Sequence, residues 1–418
     1  TAKYNIGDSS PINLAANEIL SGVSTKAGRI NLTEADDIIL TSLVNQSGNI
    51  TLTAGGIIAA RHVATELGTD HDDLSLQGQE IAVGTVSAAG SGDVFLTGVG
   101  GNISDAGSLV SGEQLTFSAA GSVGGNAPIN TNIQTLVQGH ATASGDIKIN
   151  ETDDLQVGAI STTSGKMVFT VGGSLMPTQQ PGTNFSGTGA IFSTNGAIGA
   201  QSNPLETSIV YLEASTSQDG IWLDNTGDFS IGGLSGMTGI QSPGGVNLSA
   251  FSSITINEPI SSEGSAIALD ASDDITVNAA VLSGGGSIDL HVDGDLYFTA
   301  TGSLENETGD ATIYLQADRD KTAGGGLSMA DGAFIDATAG LIHIDVTSDV
   351  ILGLLRTDTD LDLHTTSGQV LDLAIESIHL NDIEATNVLI QSQGVGQSNN
   401  PLETVITRIE IDAGSGGI

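Results

Sequence analysis

The length and charge of the chain limit what kind of protein it can be. Its 418 residues include 10 Lys and Arg against 49 Asp and Glu, which gives a formal net charge of −39. The basic residues are scattered singly, whereas nucleic-acid binding needs them clustered on one face, and anionic membrane surfaces repel such a chain. Because 39% of the residues are hydrophobic and only 14% are charged, we expect a folded acidic protein that binds no nucleic acid.

Three residue counts narrow the class further. The chain contains 57 glycines, and aromatic residues make up only 3% of it, as in a protein built of turns and small or β-branched side chains. The absence of cysteine excludes disulfides, thiol catalysis and zinc–thiolate sites. No apolar run approaches the ~18 residues of a membrane-spanning helix, so we expect no membrane insertion.

A short pattern repeats along the chain: an apolar-x-apolar pair, then a second such pair about eight residues later, usually preceded by Asp, Ser or Gly. The same position recurs every 20 or 21 residues, and a third apolar position often follows. The first members of the two pairs are Ile30 with Ile38, Ile50 with Ile57, Leu74 with Ile81, Val94 with Ile103, Leu115 with Val123, Ile147 with Leu155, Met167 with Leu175, Ile221 with Phe229, Val246 with Ile254, Ile267 with Ile275, Ile288 with Leu296, Ile342 with Val350 and Leu361 with Val370, and the third positions are Leu43, Val86, Ile160, Ile260 and Leu355.

This pattern predicts short β-strands and no helix, because the apolar residues alternate and glycine is too frequent for helices to run. Strands this short form a core when each unit winds once around an axis and stacks on the unit before it. The predicted fold is therefore all-β: a right-handed parallel β-helix of roughly 17 coils, with a period of about 20 residues. We expect residues 1–418 to form one continuous β-helix.

Four longer coils, each containing a proline, interrupt the period. Two of them share the sequence I/V-G, then N-P-L-E-T, at residues 198–207 and 395–404. Weaker copies occur at residues 123–131 and 6–13. Proline cannot donate to a β-ladder, so the roughly ten extra residues predict a longer side or an added strand in each of these coils.

These residues carry a resemblance to a known family. The I-G and N-P-L-E-T segments, followed by an alternating strand such as Ile209 and Tyr211, resemble the filamentous-haemagglutinin type of repeat. That repeat occurs in giant bacterial adhesins exported by the two-partner route. The resemblance implies a structural or adhesive segment of a secreted fibre at the bacterial cell surface. Its partners would be a receptor or glycan on a host or neighbouring cell, or further copies joined end to end. Both ends of the chain fall inside the repeat, which suggests a segment of a longer repetitive protein.

Pairs of aspartates recur just before the second strand of a coil, at Asp36 and Asp37, Asp72 and Asp73, Asp153 and Asp154, and Asp273 and Asp274. Carboxylates on neighbouring coils could bind Ca²⁺ between them. Aspartate is also a common turn residue, whose side chain bonds its own backbone. We favour the turn interpretation, because most of these pairs are not on adjacent coils, and we assign no cofactor.

An enzyme is the alternative function, since parallel β-helices also host polysaccharide lyases and hydrolases. Such a site needs carboxylates and a basic residue on one face. The best local cluster is Asp318-Arg319-Asp320-Lys321, which Arg356, Asp358 and Asp360 would approach from later coils. The histidines His62, His71, His140, His291, His343, His364 and His379 show no metal-ligand spacing. We therefore expect no catalytic, cofactor-binding or metal-binding residue, and no enzymatic activity.

Glycosylation is a further weak hypothesis. Asn-x-Ser/Thr sequences are frequent, because the repeat itself produces them. They begin at Asn31, Asn45, Asn49, Asn102, Asn150, Asn184, Asn247 and Asn306.

Overall fold

The structure is a computed structural model that describes residues 5–7, 10–67, 72–235, 237–322, 324–372 and 381–418. The chain divides into two compact units, Thr1–Gly199 with Leu205–Ser208 and Ala200–Pro204 with Ile209–Ile418. The expectation of one continuous helix over residues 1–418 stays a prediction. In both units, strands stack on strands about 21 residues later as the coils of a β-solenoid, and the coils number about 18 in all.

The first unit contains strands β1 to β19. Their bounds are β1 Ile12–Asn13, β2 Glu18–Ile19, β3 Gly22–Ala27, β4 Ile30–Glu34, β5 Ile38–Leu40, β6 Leu43–Ser47, β7 Ile50–Ala54, β8 Ile57–Thr65, β9 Leu74–Gly78, β10 Glu80–Ser87, β11 Val94–Gly98, β12 Ile103–Ala119, β13 Val123–Gly124, β14 Ile129–Ala141, β15 Ile147–Glu151, β16 Leu155–Thr162, β17 Lys166–Val171, β18 Leu175–Pro177 and β19 Phe185–Thr194. The boundary between the units falls inside β20, Leu205–Thr216.

The second unit continues with β21 to β42. Their bounds are β21 Ile221–Asn225, β22 Phe229–Ile231, β23 Ile240–Ser242, β24 Val246–Ala250, β25 Ile254–Ile256, β26 Ile260–Ser262, β27 Ile267–Ala271, β28 Ile275–Val277, β29 Ala280–Ser283, β30 Ile288–Val292, β31 Leu296–Phe298, β32 Ser303–Asn306, β33 Ile313–Gln316, β34 Leu327–Met329, β35 Phe334–Asp336, β36 Ile342–Val346, β37 Val350–Leu352, β38 Leu354–Arg356, β39 Asp360–Thr365, β40 Val370–Asp372, β41 Ile383–Ser392 and β42 Thr404–Ala413.

Stacked aliphatic side chains form the core. In the second unit, Ile267 pairs in register with Ile288, and Ile288 pairs with Ile313 one coil later. All three are fully buried, while the next residues along the strands, such as Ala268 and Asp289, lie on the outer side and are only partly buried. The described residues contain no helix, and their strand pairings are parallel, so the predicted fold class is confirmed. Burial of these ladders in every coil is what holds the short strands in place.

One coil of the second unit was not predicted. It consists of β33, β34 and β35, which pair with the coils before and after them like any other. The sequence pattern missed it because a loop of about ten residues after β33 separates Ile313 from Leu327, in place of the usual eight-residue step. The total of about 18 turns agrees with the roughly 17 that the sequence predicted.

The long coils have a common local structure. Gly7, Gly124, Gly199 and Gly396, which follow the apolar residue in each of the four copies, all have positive φ values, between 64° and 98°. This left-handed conformation is easily adopted only by glycine. In the two N-P-L-E-T copies, a tight antiparallel turn comes directly before the proline, with Ala200 bonded to Asn203 and Gln397 to Asn400 through reciprocal backbone hydrogen bonds.

The long coil of residues 123–141 adds a strand and shifts the repeat by one face. Its added strand is β14, which pairs with β12 below and with β15 and β16 above. Val123, a second-strand residue, stacks on Ile103 of the coil below but is itself followed by Ile147, a first-strand residue. Of the two alternatives that the sequence predicted, a longer side or an added strand, this coil has the added strand, and it moves the motif onto the neighbouring face of the stack.

Candidate functional site

The recurring aspartates link one coil to the next. In the first unit, the backbone N–H of Ser174 donates to Asp154 Oδ1 at 2.7 Å, and in the second unit the N–H of Asp295 donates to Asp274 Oδ1 at 2.7 Å. The acceptor and the donor occupy the same position on successive coils. Ten equivalent bonds run from a backbone N–H to a side-chain oxygen of the preceding coil. The donor and acceptor residues are Asp73 to Asn49, Asp93 to Asp73, Ser122 to Asn102, Asp146 to Ser122, Lys166 to Asp146, Ala197 to Ser174, Ser253 to Asp228, Asp274 to Ser253, Gly326 to Asp295 and Gln369 to Asp349.

This ladder gives the predicted aspartate pairs a structural role. The second member of each pair accepts a backbone N–H from the following coil: Asp37 from Ile57, Asp73 from Asp93, Asp154 from Ser174 and Asp274 from Asp295. The sequence favoured an aspartate side chain that bonds the backbone of its own turn. In the structure the hydrogen-bond donor to this side chain lies on the next coil instead. None of the four pairs belongs to a group of three or more metal-capable side chains among the described residues.

One group of carboxylates in the described part of the second unit does converge. The ligand oxygens of Asp372, Asp382 and Glu403 lie within 4.8 Å of one another. Asp382 is only 3% exposed. Burial, followed by the charges of Asp372 and Glu403, raises the pKa of Asp382 to about 7. A carboxyl that keeps its proton near neutral pH relieves the repulsion among the three acids.

Asp382 has a neutral counterpart in the first unit. The N–H of Glu403 donates to Asp382 Oδ2 at 2.8 Å, and the N–H of Asp382 donates back to the carbonyl of Glu403. Asn184 makes the same reciprocal pair with Glu206, the glutamate of the other N-P-L-E-T segment. The two long coils therefore anchor this glutamate in the same way, once with an amide and once with a carboxyl.

A second group of polar side chains lies on the outward side of the first strands of the second unit, a surface we call the lateral face. Because the strands are in register, outward residues form two columns. One column contains Trp222, Asn247, Ala268, Asp289, Tyr314, His343 and Asp362, and the other contains Asp224, Ser249, Asp270, His291, Gln316, Asp345 and His364. The lateral face thus collects all three described histidines of this unit, which lie far apart in the sequence.

Tyr314 is the centre of an aromatic group on the lateral face. Its ring centroid lies 5.2 Å from that of His291 and 5.1 Å from that of His343. Burial by these neighbours, and then the charges of Asp345 and Asp289, raises the pKa of the Tyr314 hydroxyl. Tyr314 thus lies between the rings of two histidines from the preceding and following coils.

Two histidine–aspartate pairs follow in the next coils. His343 Nδ1 lies 3.0 Å from Asp362 Oδ2, and His364 Nδ1 lies 2.8 Å from Asp345 Oδ1. Each histidine thus faces an aspartate of the neighbouring coil, in the two adjacent columns. The pairs are about one-third exposed, so they are accessible to solvent and to a ligand.

Arg319 folds back onto the lateral face from the loop after β33. Its guanidinium forms ion pairs with Asp270, two coils earlier, and with Asp293, at 3.0 Å. Burial opposes the positive charge of Arg319, but the hydrogen bonds with the two aspartates outweigh it and raise its pKa. The loop itself is tight, with positive φ values at Asp318 and Lys321. The side chain of Arg319 is therefore held in one orientation.

The sequence grouped the charged cluster of residues 318–321 with residues on later coils, and the structure separates them. Arg319 binds the lateral face, whereas Arg356 lies at the end of a third strand and pairs with Asp336. Asp358 and Asp360 lie in the turn and at the start of β39, where Asn387 donates to Asp360 Oδ1 at 2.6 Å. The polar group that does form combines Arg319 with earlier coils and with histidines that spacing alone did not connect.

A groove of about 550 Å³ opens on the lateral face. Its lining residues include Asn247, Ser249 and Ala268, and the side chain of Asn247 is exposed. The ring of Phe251, 66% exposed, and the side chain of Arg319 also line it. The groove therefore combines an aromatic surface with fixed polar groups.

The remaining sequence hypotheses have mixed outcomes. His71 and His379 lie outside the described residues. Asn45, Asn184 and Asn306 are almost completely buried, with their amide nitrogens donating to backbone carbonyls, so these three sequons cannot accept a glycan in the folded protein. None of the described residues belongs to a helix that could cross a membrane.

Comparison with family models, with curated proteins and with solved structures found no match to the chain. The fold is therefore established by the strand pairing itself.

Proposed function

We propose that the chain is a structural and adhesive segment of a secreted bacterial surface fibre. The observation that carries this proposal is the register of the coils, which arranges outward side chains in long columns. Stacked coils of this kind hold a surface in fixed order over many repeats, which suits a stalk or a lateral binding surface. The filamentous-haemagglutinin resemblance of the N-P-L-E-T coils supports the same function.

The surface chemistry fits a location outside the cell. A net charge of −39 spread over about 18 turns makes an acidic coat, which keeps neighbouring fibres apart. Its partners on this proposal are a receptor or glycan of another cell, or further copies of the same fibre joined end to end. Nucleic acid is not among them, because scattered basic residues cannot neutralise phosphates.

Localisation and adhesion test this proposal directly. Antibodies against the purified chain, visualised by electron microscopy on the source cells, should label thin surface fibres. Beads coated with the chain should attach to target cells more often than beads coated with albumin, a similarly acidic protein. Label confined to the cell interior, together with equal attachment of both kinds of bead, would contradict the proposal.

A carbohydrate-active enzyme is the second candidate, and the two histidine–aspartate pairs of the lateral face favour it. A histidine held by a carboxylate is a common general base. Reducing-end release and the absorbance of unsaturated uronates should be measured with acidic and neutral polysaccharides. Turnover that is lost in His343→Gln or Arg319→Gln, but kept in the first-unit control His62→Gln, would favour the enzyme over the fibre.

A further inference from the structure

The groove on the lateral face results from the sequence of side-chain sizes along its two columns. In one column, Trp222 and Tyr314 stand four coils apart, about 19 Å at ~4.8 Å per coil. Between them lie the smaller side chains Asn247, Ala268 and Asp289, which leave a depression. Its volume of about 550 Å³ is within the range of roughly 300–1,000 Å³ typical of small-molecule sites.

The polar groups around the depression are fixed before any ligand binds. Arg319 is held by Asp270 and Asp293, and the hydroxyl of Ser287 donates to Asp289 Oδ2 at 2.8 Å. Preorganised groups bind more tightly, because less side-chain entropy is lost on association. The amide of Asn247, by contrast, has no side-chain hydrogen bond to any described residue and offers both a donor and an acceptor to solvent.

Phe251 supplies an apolar platform beside these groups. Its ring is 66% exposed, the highest fraction of any phenylalanine in the described chain, although its backbone N–H is bonded to Asn225. Exposing an aromatic ring costs free energy that burial against a ligand would recover. A ligand for this groove therefore needs an apolar face for the ring and hydroxyl or amide groups for the polar side.

We propose that this groove binds a short, uncharged oligosaccharide, an inference that rests on the adhesive function proposed above. Sugar rings combine the two properties: their C–H faces pack on aromatic rings, and adjacent hydroxyls pair with carboxylate, amide and guanidinium groups. Asp270 and Asp289 line the groove together with Arg319, and the charge of Arg319 is also shared with Asp293. The groove is therefore net negative, so acidic sugars are repelled.

Calorimetric titration of the full chain tests the proposal with named probes: maltohexaose, cellohexaose and mannohexaose as neutral sugars, and heparin as an acidic one. Phe251→Ala should weaken binding of the preferred neutral probe by about tenfold or more, the loss of roughly one aromatic contact. Asn247→Ala should weaken it as well. Phe95→Ala, the same change at an exposed phenylalanine of the first unit, should bind like the wild-type protein.

Three results would overturn the groove proposal: no neutral probe binding at millimolar concentration, heparin binding better than every neutral probe, or Phe251→Ala binding as tightly as Phe95→Ala. Circular dichroism of each variant shows that it is folded. Surface labelling of cells without sugar binding would reject the groove and leave the fibre. Sugar binding by a chain confined to the cell interior would reject the fibre and leave the groove.

Discussion

Asp382→Asn replaces a buried carboxyl of the second unit with the amide that the first unit has at the equivalent position, Asn184. The pKa of Asp382 is raised from 3.8 to about 7 in the folded protein, chiefly by burial. The folded state then binds this proton more tightly than the unfolded chain, so stability falls as the pH rises from about 4 to about 7. The asparagine variant carries no such proton and should lack this part of the pH dependence.

The raised pKa sets the size of the effect. A shift of about three pKa units corresponds to about 4 kcal/mol, of which roughly 2–3 kcal/mol falls between pH 5 and pH 8. We therefore expect the free energy of unfolding of Asp382→Asn, relative to the wild-type protein, to increase by about 2 kcal/mol between pH 5 and pH 8.

Urea unfolding followed by the fluorescence of Trp222 measures this difference, because Trp222 is the only tryptophan of the chain and lies in the second unit. Asp412→Asn is the matched control, since Asp412 is exposed on β42. A pH-dependent change of the same size in Asp412→Asn would contradict the assignment of the effect to Asp382. If Asp382→Asn gained no more stability at pH 8 than at pH 5, the raised pKa assigned to the buried Asp382 would be wrong.

Three further predictions concern the coils themselves. Asp154→Ala removes the acceptor for the N–H of Ser174 and should lower the free energy of unfolding by about 1–3 kcal/mol, whereas Asp154→Asn keeps the acceptor and should cost less; urea unfolding followed by circular dichroism compares the two. Gly396→Ala meets no atom closer than 3.7 Å, so its cost is the strain of a positive φ alone, about 1–2 kcal/mol, and Gly396→Asn should recover part of it in the same assay. Ca²⁺ and EDTA should give the same melting temperature to within about 1 °C, since a bound ion would raise it; a larger rise in Ca²⁺ would restore the metal hypothesis for the aspartate pairs.

The fold was predictable because each coil repeats the same physical requirement. An inward position needs an aliphatic residue, a corner tolerates glycine, and the next coil needs the same residues about 20 positions later, as at Ile267 and Ile288. Repetition makes a weak pattern reliable. The sequence pattern failed at the loop between Ile313 and Leu327. The inserted residues there change the sequence spacing of the two strands, but the strands still stack on the coil before them.

The candidate sites were less predictable, since they depend on register between coils. His343 and Asp345 are followed one period later by Asp362 and His364, so an H-x-D and D-x-H signal was present in the sequence. Only the pairing of these strands shows that each histidine faces an aspartate. Arg319 was expected to meet residues of later coils, but its guanidinium pairs with Asp270 and Asp293, which precede it in the chain.

The long coils explain why an extended side-chain surface occurs where it does. In the first unit, the coil that contains β14 moves the motif by one face, so the column that begins with first-strand residues such as Leu115 continues with the second-strand residue Val157. In the second unit, the first strands pair in one register from Ile221 through Ile409, and their outward columns continue without such a shift. A ligand that spans several coils needs side chains that are held in a fixed order along one face. The second unit provides this order, which is why the aromatic residues, histidines and Arg319 can act there as one surface.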